Sequence, residues 1–232
     1  MLRGMADPRD IARGAAAAAA VELVEPGMTI GLGSGRAVWR VVELLGERGG
    51  ELRAAAASPR TAELADAAGI ELVELDGSIE LDLALDGADE IDPDLRLIKG
   101  GGGALLREKI VISAARRFVV VAEKSKRVGR LGESFRLPVE VVRFGWRDTR
   151  RRLAPLLPGA QLRSSEGGEP YLTDEGHHIL DCAFPADTDP DTLDLELKRV
   201  PGVVEHGLFL GLAERALLGS VDGAVEELVR GG

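Results

Sequence analysis

The sequence contains few of the residues on which several classes of protein depend. Its 232 residues include one cysteine, Cys182, so no disulfide can form within the chain, and a reducing, cytoplasmic compartment is expected. The 29 lysines and arginines are outnumbered by 39 aspartates and glutamates, and the net charge of −10 argues against nucleic-acid binding. The alanine run at residues 15–20 is too short and too weakly apolar to span a bilayer, so no membrane partner is expected.

Metal and nucleotide motifs are also missing. The three histidines are His177, His178 and His206, and two of them are adjacent, so their side chains would face opposite ways on a strand. They are expected to be structural or surface residues and not metal ligands. No glycine-rich stretch is followed by the lysine of a P-loop, and no dinucleotide fingerprint is complete. A local cluster of cations and glycines could still bind a small anionic substrate despite the negative net charge.

The stretch LDGADEIDPDLRLIKGGGGALLREKI, residues 85–110, carries the most chemistry. Its candidate functional residues are Asp86, Asp89, Glu90, Lys99, Gly100, Gly101, Gly102, Gly103 and Glu108. The apolar run at residues 81–85 predicts a buried strand that ends at Asp86, and ligands of open α/β sheets bind at the carboxyl ends of strands. Four glycines let the backbone approach a ligand closely, and the helix expected after them offers free N–H groups to an oxyanion. With Glu108 about one and a half turns into that helix, the combination suits proton transfer next to a carbonyl.

A second glycine loop, GLGSG at residues 31–35, lies between a predicted strand at 28–32 and a predicted helix at 36–48. This geometry can hold a phosphate on backbone N–H groups, but the pattern alone does not separate a phosphate site from a plain tight turn. Ser58 precedes Pro59 at the start of another predicted helix. Its hydroxyl could cap that helix or face the same ligand cleft.

Strands alternate with helices through the first half of the chain. The predicted elements there are helices at 8–24, at 36–48, after Ser58 and after the glycine run, and strands at 28–32, 52–57, 70–75, 81–85 and 118–122. Such alternation predicts a mostly parallel sheet covered on both faces. Past Lys126 the predicted elements are strands at 137–142, 161–164, 171–172, 178–183 and 203–210, and helices at 146–157, 189–199 and 222–230. We therefore expect a larger α/β domain at residues 1–130 plus 202–232 and a smaller α+β domain at 131–201.

These passages resemble ribose-5-phosphate isomerase, type A. The matching segments are GLGSG (31–35), SPRT (58–61), LDGADEID (85–92), KGGGGALLREKI (99–110), EKSK (123–126), LPVEV (137–141), TDEGHHILDC (173–182) and PGVVEHGLF (201–209). They follow the family's order over nearly the whole chain, and the paired DGADE and KGGGGALLREK blocks are highly specific. The resemblance implies a Rossmann-like domain with a small ferredoxin-like α+β domain. It also implies a homodimer or homotetramer without a metal or cofactor, acting on ribose 5-phosphate and ribulose 5-phosphate.

The resemblance also implies roles for individual residues. Glu108 matches the general base, Lys99 the lysine beside the developing enediolate, and Lys126 the lysine that binds the phosphate. Asp86 and Asp89 match paired acids near the sugar hydroxyls. The residues expected to bind substrate are Gly33, Ser34, Gly35, Arg36, Ser58, Gly87, Ala88, Gly100, Gly101, Gly102 and Lys126.

Two positions depart from the family's pattern. Arg36 and Ala37 stand where the family usually has two hydroxyl residues, so those phosphate contacts cannot be carried over, although Arg36 could contact phosphate itself. Glu123 replaces the usual aspartate of the later motif. Two other functions are compatible with a related fold. The first is a non-catalytic sugar-phosphate sensor, which would not need a base at Glu108. The second is a coenzyme A transferase, which the DGADE passage disfavours.

Overall fold

The structure is a computed structural model that describes residues 7–230. Its strands, in chain order, are β1 (Thr29–Leu32), β2 (Arg53–Ala56), β3 (Glu71–Leu72), β4 (Leu83–Asp86), β5 (Glu90–Ile91), β6 (Leu97–Ile98), β7 (Phe118–Glu123), β8 (Leu137–Val141), β9 (Gln161–Leu162), β10 (His178–Cys182), β11 (Val203–His206), β12 (Leu208–Phe209), β13 (Arg215–Gly219) and β14 (Val225–Val229). The helices are α1 (Pro8–Val21), α2 (Arg36–Arg48), α3 (Pro59–Ala67), α4 (Leu105–Ser113), α5 (Trp146–Leu153) and α6 (Pro190–Lys198). No helix within the described range is long and apolar enough to cross a membrane.

Seven strands form the larger sheet, in the order β14-β13-β7-β4-β1-β2-β3. All neighbours are parallel except the β13–β14 hairpin. The chain moves outward from β1 through β2 and β3, then returns to the other side of β1 with β4. The direction of winding therefore changes between β1 and β4, and a crevice opens there beyond the carboxyl ends of the strands. This sheet confirms the predicted mostly parallel α/β architecture.

The larger sheet is buried on both faces because alternate residues of its strands pack in opposite directions. Leu83 and Leu85 of β4 pack with the alanine-rich α1 and the valines of α2, whereas Ala84 packs on the other face with Ile112 of α4. Since both faces are covered there, the inner strands β1, β4 and β7 are buried throughout and mostly apolar, as expected of a parallel sheet.

The smaller domain contains a β-α-β-β-α-β unit, β8-α5-β9-β10-α6-β11, and its antiparallel sheet has the order β11-β8-β10-β9. This is the arrangement of a ferredoxin-like domain. Leucines of α5 and α6 pack on the sheet around Val139 and Leu180. A third sheet, β12-β6-β5, joins the two parts, and the Lys99 N–H donates to Gly207 O at 2.9 Å. Lys99 therefore sits where the two domains meet.

Several predicted elements differ from the structure. The helix predicted at 222–230 is wrong, because residues Val225–Val229 form β14 and pair with β13. Val225, Leu228 and Val229 have helical spacing, but Gly223 (φ 84°) completes a tight turn that folds the segment back onto β13. The strand predicted at 203–210 is interrupted at Gly207 into β11 and β12, which join different sheets.

Two further differences concern strands. No strand forms at 171–172, where the Tyr171 N–H donates to Arg163 O at 2.9 Å and Ser164 and Pro170 form an isolated bridge. β13 was not predicted. Because β11 pairs with β8, we propose that the small domain extends to Gly207 and not to residue 201. Residues 1–6 and 231–232 of the predicted larger domain lie outside the described range.

Candidate active site

A cleft of about 360 Å³ lies at the carboxyl ends of β1, β4 and β7. The register of these strands places the loops after Leu32, Asp86 and Glu123 at one edge of the sheet, and the glycine run closes the cleft from the side. Of the residues predicted from sequence, those that line it are Ser34, Gly35, Arg36, Gly87, Ala88, Asp89, Lys99, Gly100, Gly101, Gly102, Glu108 and Lys126. Residues from five separate segments thus converge on one space.

The Lys99 ammonium is the centre of the polar network. Its Nζ lies 2.8 Å from Asp86 Oδ2 and 3.2 Å from Glu108 Oε2, and it donates to Gly87 O at 2.6 Å. The lysine and both carboxylates are buried. Burial alone would lower the pKa of Lys99, but the two carboxylates raise it above its ordinary value. The lysine is therefore a fixed positive charge at the floor of the cleft.

Asp86 ends β4 and is fully buried behind Lys99, so it does not line the cleft. Its Oδ1 accepts hydrogen bonds from the Ser34 N–H at 3.1 Å and the Gly87 N–H at 2.7 Å. Burial raises the pKa of Asp86, while Lys99 and these two N–H donors oppose the shift. A Cβ at Gly33 would lie 1.9 Å from Asp86 Cγ, so this glycine makes room for the carboxylate and does not itself reach the cleft.

Glu108 lies in the first turn of α4, a little nearer to the glycine run than the sequence suggested. Its side chain is 6% exposed yet reaches the cleft, where its Oε2 meets Lys99. Burial raises the pKa of Glu108 to about 8; the nearby Asp86 charge adds to the shift and Lys99 opposes it. A carboxylate with this proton affinity can both accept and return a proton near neutral pH.

Asp89 holds the glycine run from the cleft side. Its Oδ2 accepts a hydrogen bond from the Gly101 N–H at 2.7 Å, and a Cβ at Gly101 would lie only 2.7 Å from Asp89 Oδ1. The other oxygen is 4.0 Å from Lys126 Nζ. Asp89 is less buried than Asp86 and faces the cleft. Of the two predicted acids, Asp89 is therefore the one that a bound molecule can touch.

Three comparisons with known proteins agree. Residues 53–223 match the family of ribose 5-phosphate isomerase A (phosphoriboisomerase A). The ribose-5-phosphate isomerase A of Roseiflexus castenholzii is 52% identical over 91% of this chain and 92% of its own length. The chain belongs to this family. Among solved structures, the ribose 5-phosphate isomerase of Plasmodium falciparum is 32% identical and superposes with a TM-score of 0.90 over 96% of this chain and 99% of its own. That of Methanocaldococcus jannaschii is 37% identical, with a TM-score of 0.87 over 95% and 98%.

Ser58, predicted to contact the substrate of such an isomerase, does not line the cleft. Its Oγ caps α3 by accepting from the Thr61 N–H at 3.2 Å, and it lies 3.1 Å from Ser34 Oγ. The capping role that the sequence left open is thus present. In this member of the family Ser58 contacts Ser34, which does line the cleft.

Arg13 was not predicted from the sequence, yet it reaches the cleft from α1. Ala37 of α2 and Val121 and Glu123 of β7 also line the cleft. Arg13 Nη2 lies 2.7 Å from Glu123 Oε1, and both side chains are largely buried. A signal was present, because Arg13 falls three, four and seven residues before Ala16, Ala17 and Ala20, on the buried stripe of the helix. A cation on such a stripe is unusual enough to mark a site.

Glu90, the last acid of the DGADE motif, has a structural role in this isomerase fold. The buried carboxylate accepts hydrogen bonds from the N–H groups of Gly132 at 2.6 Å, Ser134 at 2.5 Å and Phe135 at 2.7 Å. The Ser134 hydroxyl adds a fourth bond at 2.9 Å. Glu90 therefore anchors the segment that leads into the small domain.

The histidines do not enter the cleft. His177 Nδ1 lies 2.9 Å from Glu140 Oε1, and His206 is fully buried, which lowers its pKa strongly. Within residues 7–230 no group of three or more histidine, cysteine or acidic side chains is arranged to hold a metal ion.

Proposed function

We propose that this chain interconverts D-ribose 5-phosphate and D-ribulose 5-phosphate through an enediolate, as an aldose–ketose isomerase of the non-oxidative pentose phosphate pathway. The observation that carries the proposal is the contact of Glu108 with Lys99 inside the cleft, at 3.2 Å. The reaction moves a hydrogen between C2 and C1 of the open-chain sugar. A site for it needs a base that reaches both carbons and a positive charge beside the oxygen that becomes negative.

Glu108 is the proposed base. In the aldose-to-ketose direction its carboxylate takes the proton from C2, the electrons of the broken C–H bond form the C1–C2 double bond, and the C1 oxygen becomes negative. Glu108 then returns the proton to C1 as the C2 carbonyl forms, while one hydroxyl proton moves from the C2 oxygen to the C1 oxygen. Its pKa of about 8 suits both halves of the cycle. Base catalysis of this kind typically contributes about 10²–10⁴-fold.

Lys99 is proposed to stabilise the enediolate. Its ammonium is already placed by Asp86 and Gly87 O, so little reorganisation is needed when the negative oxygen develops. The N–H groups of the glycine run and of the first turn of α4 are proposed to share that charge. Removal of one such donor commonly costs about 3 kcal/mol of transition-state stabilisation.

Because Asp86 is sealed behind Lys99, we propose different roles for the two aspartates. Asp89, which lines the cleft, would exchange protons with the sugar hydroxyls and assist opening of the furanose ring. Asp86 would hold Lys99 and the two loops in register through its ion pair and its bonds to the N–H groups of Ser34 and Gly87.

Besides Lys99, three cationic side chains line the cleft and are proposed to bind the 5-phosphate: Arg13, Arg36 and Lys126. Arg36 stands at the start of α2, where the helix dipole also favours an anion. The phosphate is remote from the reacting carbons, so its binding energy would serve to orient the sugar. A related D-ribose-5-phosphate isomerase, 33% identical with a TM-score of 0.91, was solved in complex with phospho-erythronic acid, which also pairs a phosphate with an oxygen-rich chain.

A homodimer or homotetramer in the cytoplasm is proposed as the working form, without a metal or organic cofactor. Phe144, 93% exposed beside the arginine-rich α5, is an apolar side chain that a second copy could cover. Light scattering on the purified protein measures the mass directly.

The test of function is direct. Purified protein is mixed with ribose 5-phosphate in D₂O buffer containing a chelator, and proton NMR follows the C1 and C2 signals. We expect ribulose 5-phosphate to form at the rate expected of an enzyme. Binding without any ketose formation would instead support the sugar-phosphate sensor, a function for which a buried base at Glu108 has no use.

A further inference from the structure

The carbonyl oxygens of the glycine run are held by side chains of the small domain. Arg163, the residue after β9, donates from Nη1 to Gly100 O at 2.8 Å and to Gly101 O at 3.2 Å. The Tyr171 hydroxyl donates to Gly102 O at 3.2 Å. Three consecutive carbonyls therefore face away from the larger domain, towards a different sheet.

Arg163 is itself fixed in place. Arg163 donates from Nε to Asp181 Oδ2 at 2.9 Å and from Nη2 to Asp181 Oδ1 at 2.5 Å. This bidentate pair with Asp181 of β10 sets the plane of the guanidinium. Both side chains are more than three-quarters buried. Arg163 does not line the cleft, so its contact with the glycine run is structural and not a contact with a bound sugar.

The orientation of these carbonyls decides where the N–H groups point. In a trans peptide the C=O and the next N–H are antiparallel, so a Gly101 carbonyl turned towards Arg163 directs the Gly102 N–H the opposite way. Gly102 lines the cleft, and its N–H has no acceptor among residues 7–230. The 100–101 peptide has the same geometry, since the Gly100 carbonyl faces Arg163 and the Gly101 N–H donates to Asp89.

A run of four glycines has little intrinsic preference for one peptide orientation. The Gly103 N–H donates to Gly100 O at 3.0 Å and closes a tight turn, but this bond does not fix its central 101–102 peptide. Without an external constraint that peptide could rotate and present its carbonyl oxygen, which would repel a developing negative oxygen. We propose that Arg163, braced by Asp181, is a positioning residue that keeps the Gly102 N–H directed into the cleft as a donor to the enediolate oxygen. This inference rests on the proposed isomerase function and adds a requirement for the small domain in the chemical step.

The test compares Arg163→Ala with Arg136→Ala. Arg136 is a matched control because it also donates to backbone carbonyls of the small domain, Asp181 O and Gly159 O, but does not touch the glycine run. Misplacement of a catalytic group by about 1 Å can cost about 100-fold, so we expect Arg163→Ala to lower kcat by about that factor. KM for ribose 5-phosphate should change less than about threefold, because no cation of the phosphate end is altered. Arg136→Ala should keep both constants near those of the unaltered protein.

Two further measurements separate orientation from general damage to the fold. Guanidinium chloride at a non-denaturing concentration should restore part of the kcat of Arg163→Ala and none of any loss in Arg136→Ala. Asp181→Asn keeps Arg163 but removes the negative charge that pairs with it. We expect an intermediate fall in kcat of about tenfold. If Arg163→Ala fails to fold, the kcat of Asp181→Asn tests the same inference.

An unchanged kcat in Arg163→Ala, or in Asp181→Asn where only that variant folds, would overturn the inference. So would a change confined to KM. These outcomes are distinct from failure of the proposed function, which would appear as absence of ketose formation by the unaltered protein.

Discussion

Glu108→Gln replaces the proposed base by a side chain of nearly the same shape that cannot take up a proton. Asp86 and Gly87 O still hold Lys99 in the variant, so the electrostatic part of the site stays in place. The loss should therefore approach the whole contribution of base catalysis, about 10²–10⁴-fold in kcat or about 3–5 kcal/mol. Binding of the sugar phosphate should persist, since the cations proposed to bind the phosphate are unchanged.

The same substitution should not weaken the fold. The pKa of Glu108 is raised from 4.5 to about 8, so its ionised form is disfavoured in the folded state. A raised pKa adds stability that is fully present below the unfolded value and is lost as pH rises through the folded value. Above about pH 8 the unaltered protein therefore carries an unfavourable buried charge that Glu108→Gln lacks. At 1.36 kcal/mol per pH unit the relief is at most about 5 kcal/mol, and this figure already includes the opposing attraction of Lys99.

Activity is measured by proton NMR with ribose 5-phosphate, and stability by urea unfolding near neutral pH and again above pH 8. Glu175→Gln is the matched control, because Glu175 is exposed and pairs at 2.7 Å with Arg107, the neighbour of Glu108 in α4. It should leave turnover unchanged. Turnover of Glu108→Gln within tenfold of the unaltered protein would refute the base assignment. A variant destabilised by several kcal/mol above pH 8 would instead mean that the Glu108 carboxylate acts mainly as a structural ion-pair partner.

The remaining predictions concern pH, phosphate binding and the loop anchor. Because the base must be deprotonated, kcat/KM should rise about tenfold per pH unit up to the Glu108 pKa of about 8; a flat profile below that value would contradict the assignment. Lys126→Ala should raise KM about 10–100-fold with little change in kcat, as loss of a charged hydrogen bond predicts. Lys124→Ala is its control, since Lys124 pairs with Glu226 at 2.7 Å outside the cleft, and a fall in kcat alone would place Lys126 beside the reacting carbons. Glu90→Ala should lower the free energy of unfolding by about 3 kcal/mol, because three part-buried N–H groups lose the buried carboxylate that accepts from them. Glu133→Ala, which removes one exposed bond to Gly129, should have little effect, and equal urea midpoints for the two variants would show that Glu90 is not the anchor.

Local patterns were sufficient for much of the fold. The predicted helix at 36–48 coincides with α2, and the strands before Gly33 and Gly87 end within a residue or two of their predicted limits. These elements are defined by spacing and turn residues that are close in the chain, so the amino-acid order carries the information. β14 was mistaken for a helix because its spacing fits both structures, and pairing with β13 decides between them.

The candidate site divides in the same way. Glu108, Lys99, Asp89 and the glycines lie within one short segment, so residue type, spacing and the family resemblance together were enough to propose them from the sequence. The different exposure of Asp86 and Asp89 was not visible in the sequence, because it depends on how Lys99 packs over the end of β4.

By itself the sequence determined the parallel sheet, the glycine loops, the acid that ends β4 and membership of the isomerase family. Only the tertiary structure decided that Arg13 reaches the cleft from α1, that the Ser58 hydroxyl caps α3, and that Arg163 holds the glycine run. Arg163 lies more than sixty residues from Gly100 in the chain. The physical reason is that spacing and capping act between near neighbours, whereas the direction of a side chain towards a distant backbone depends on how two sheets are placed against each other.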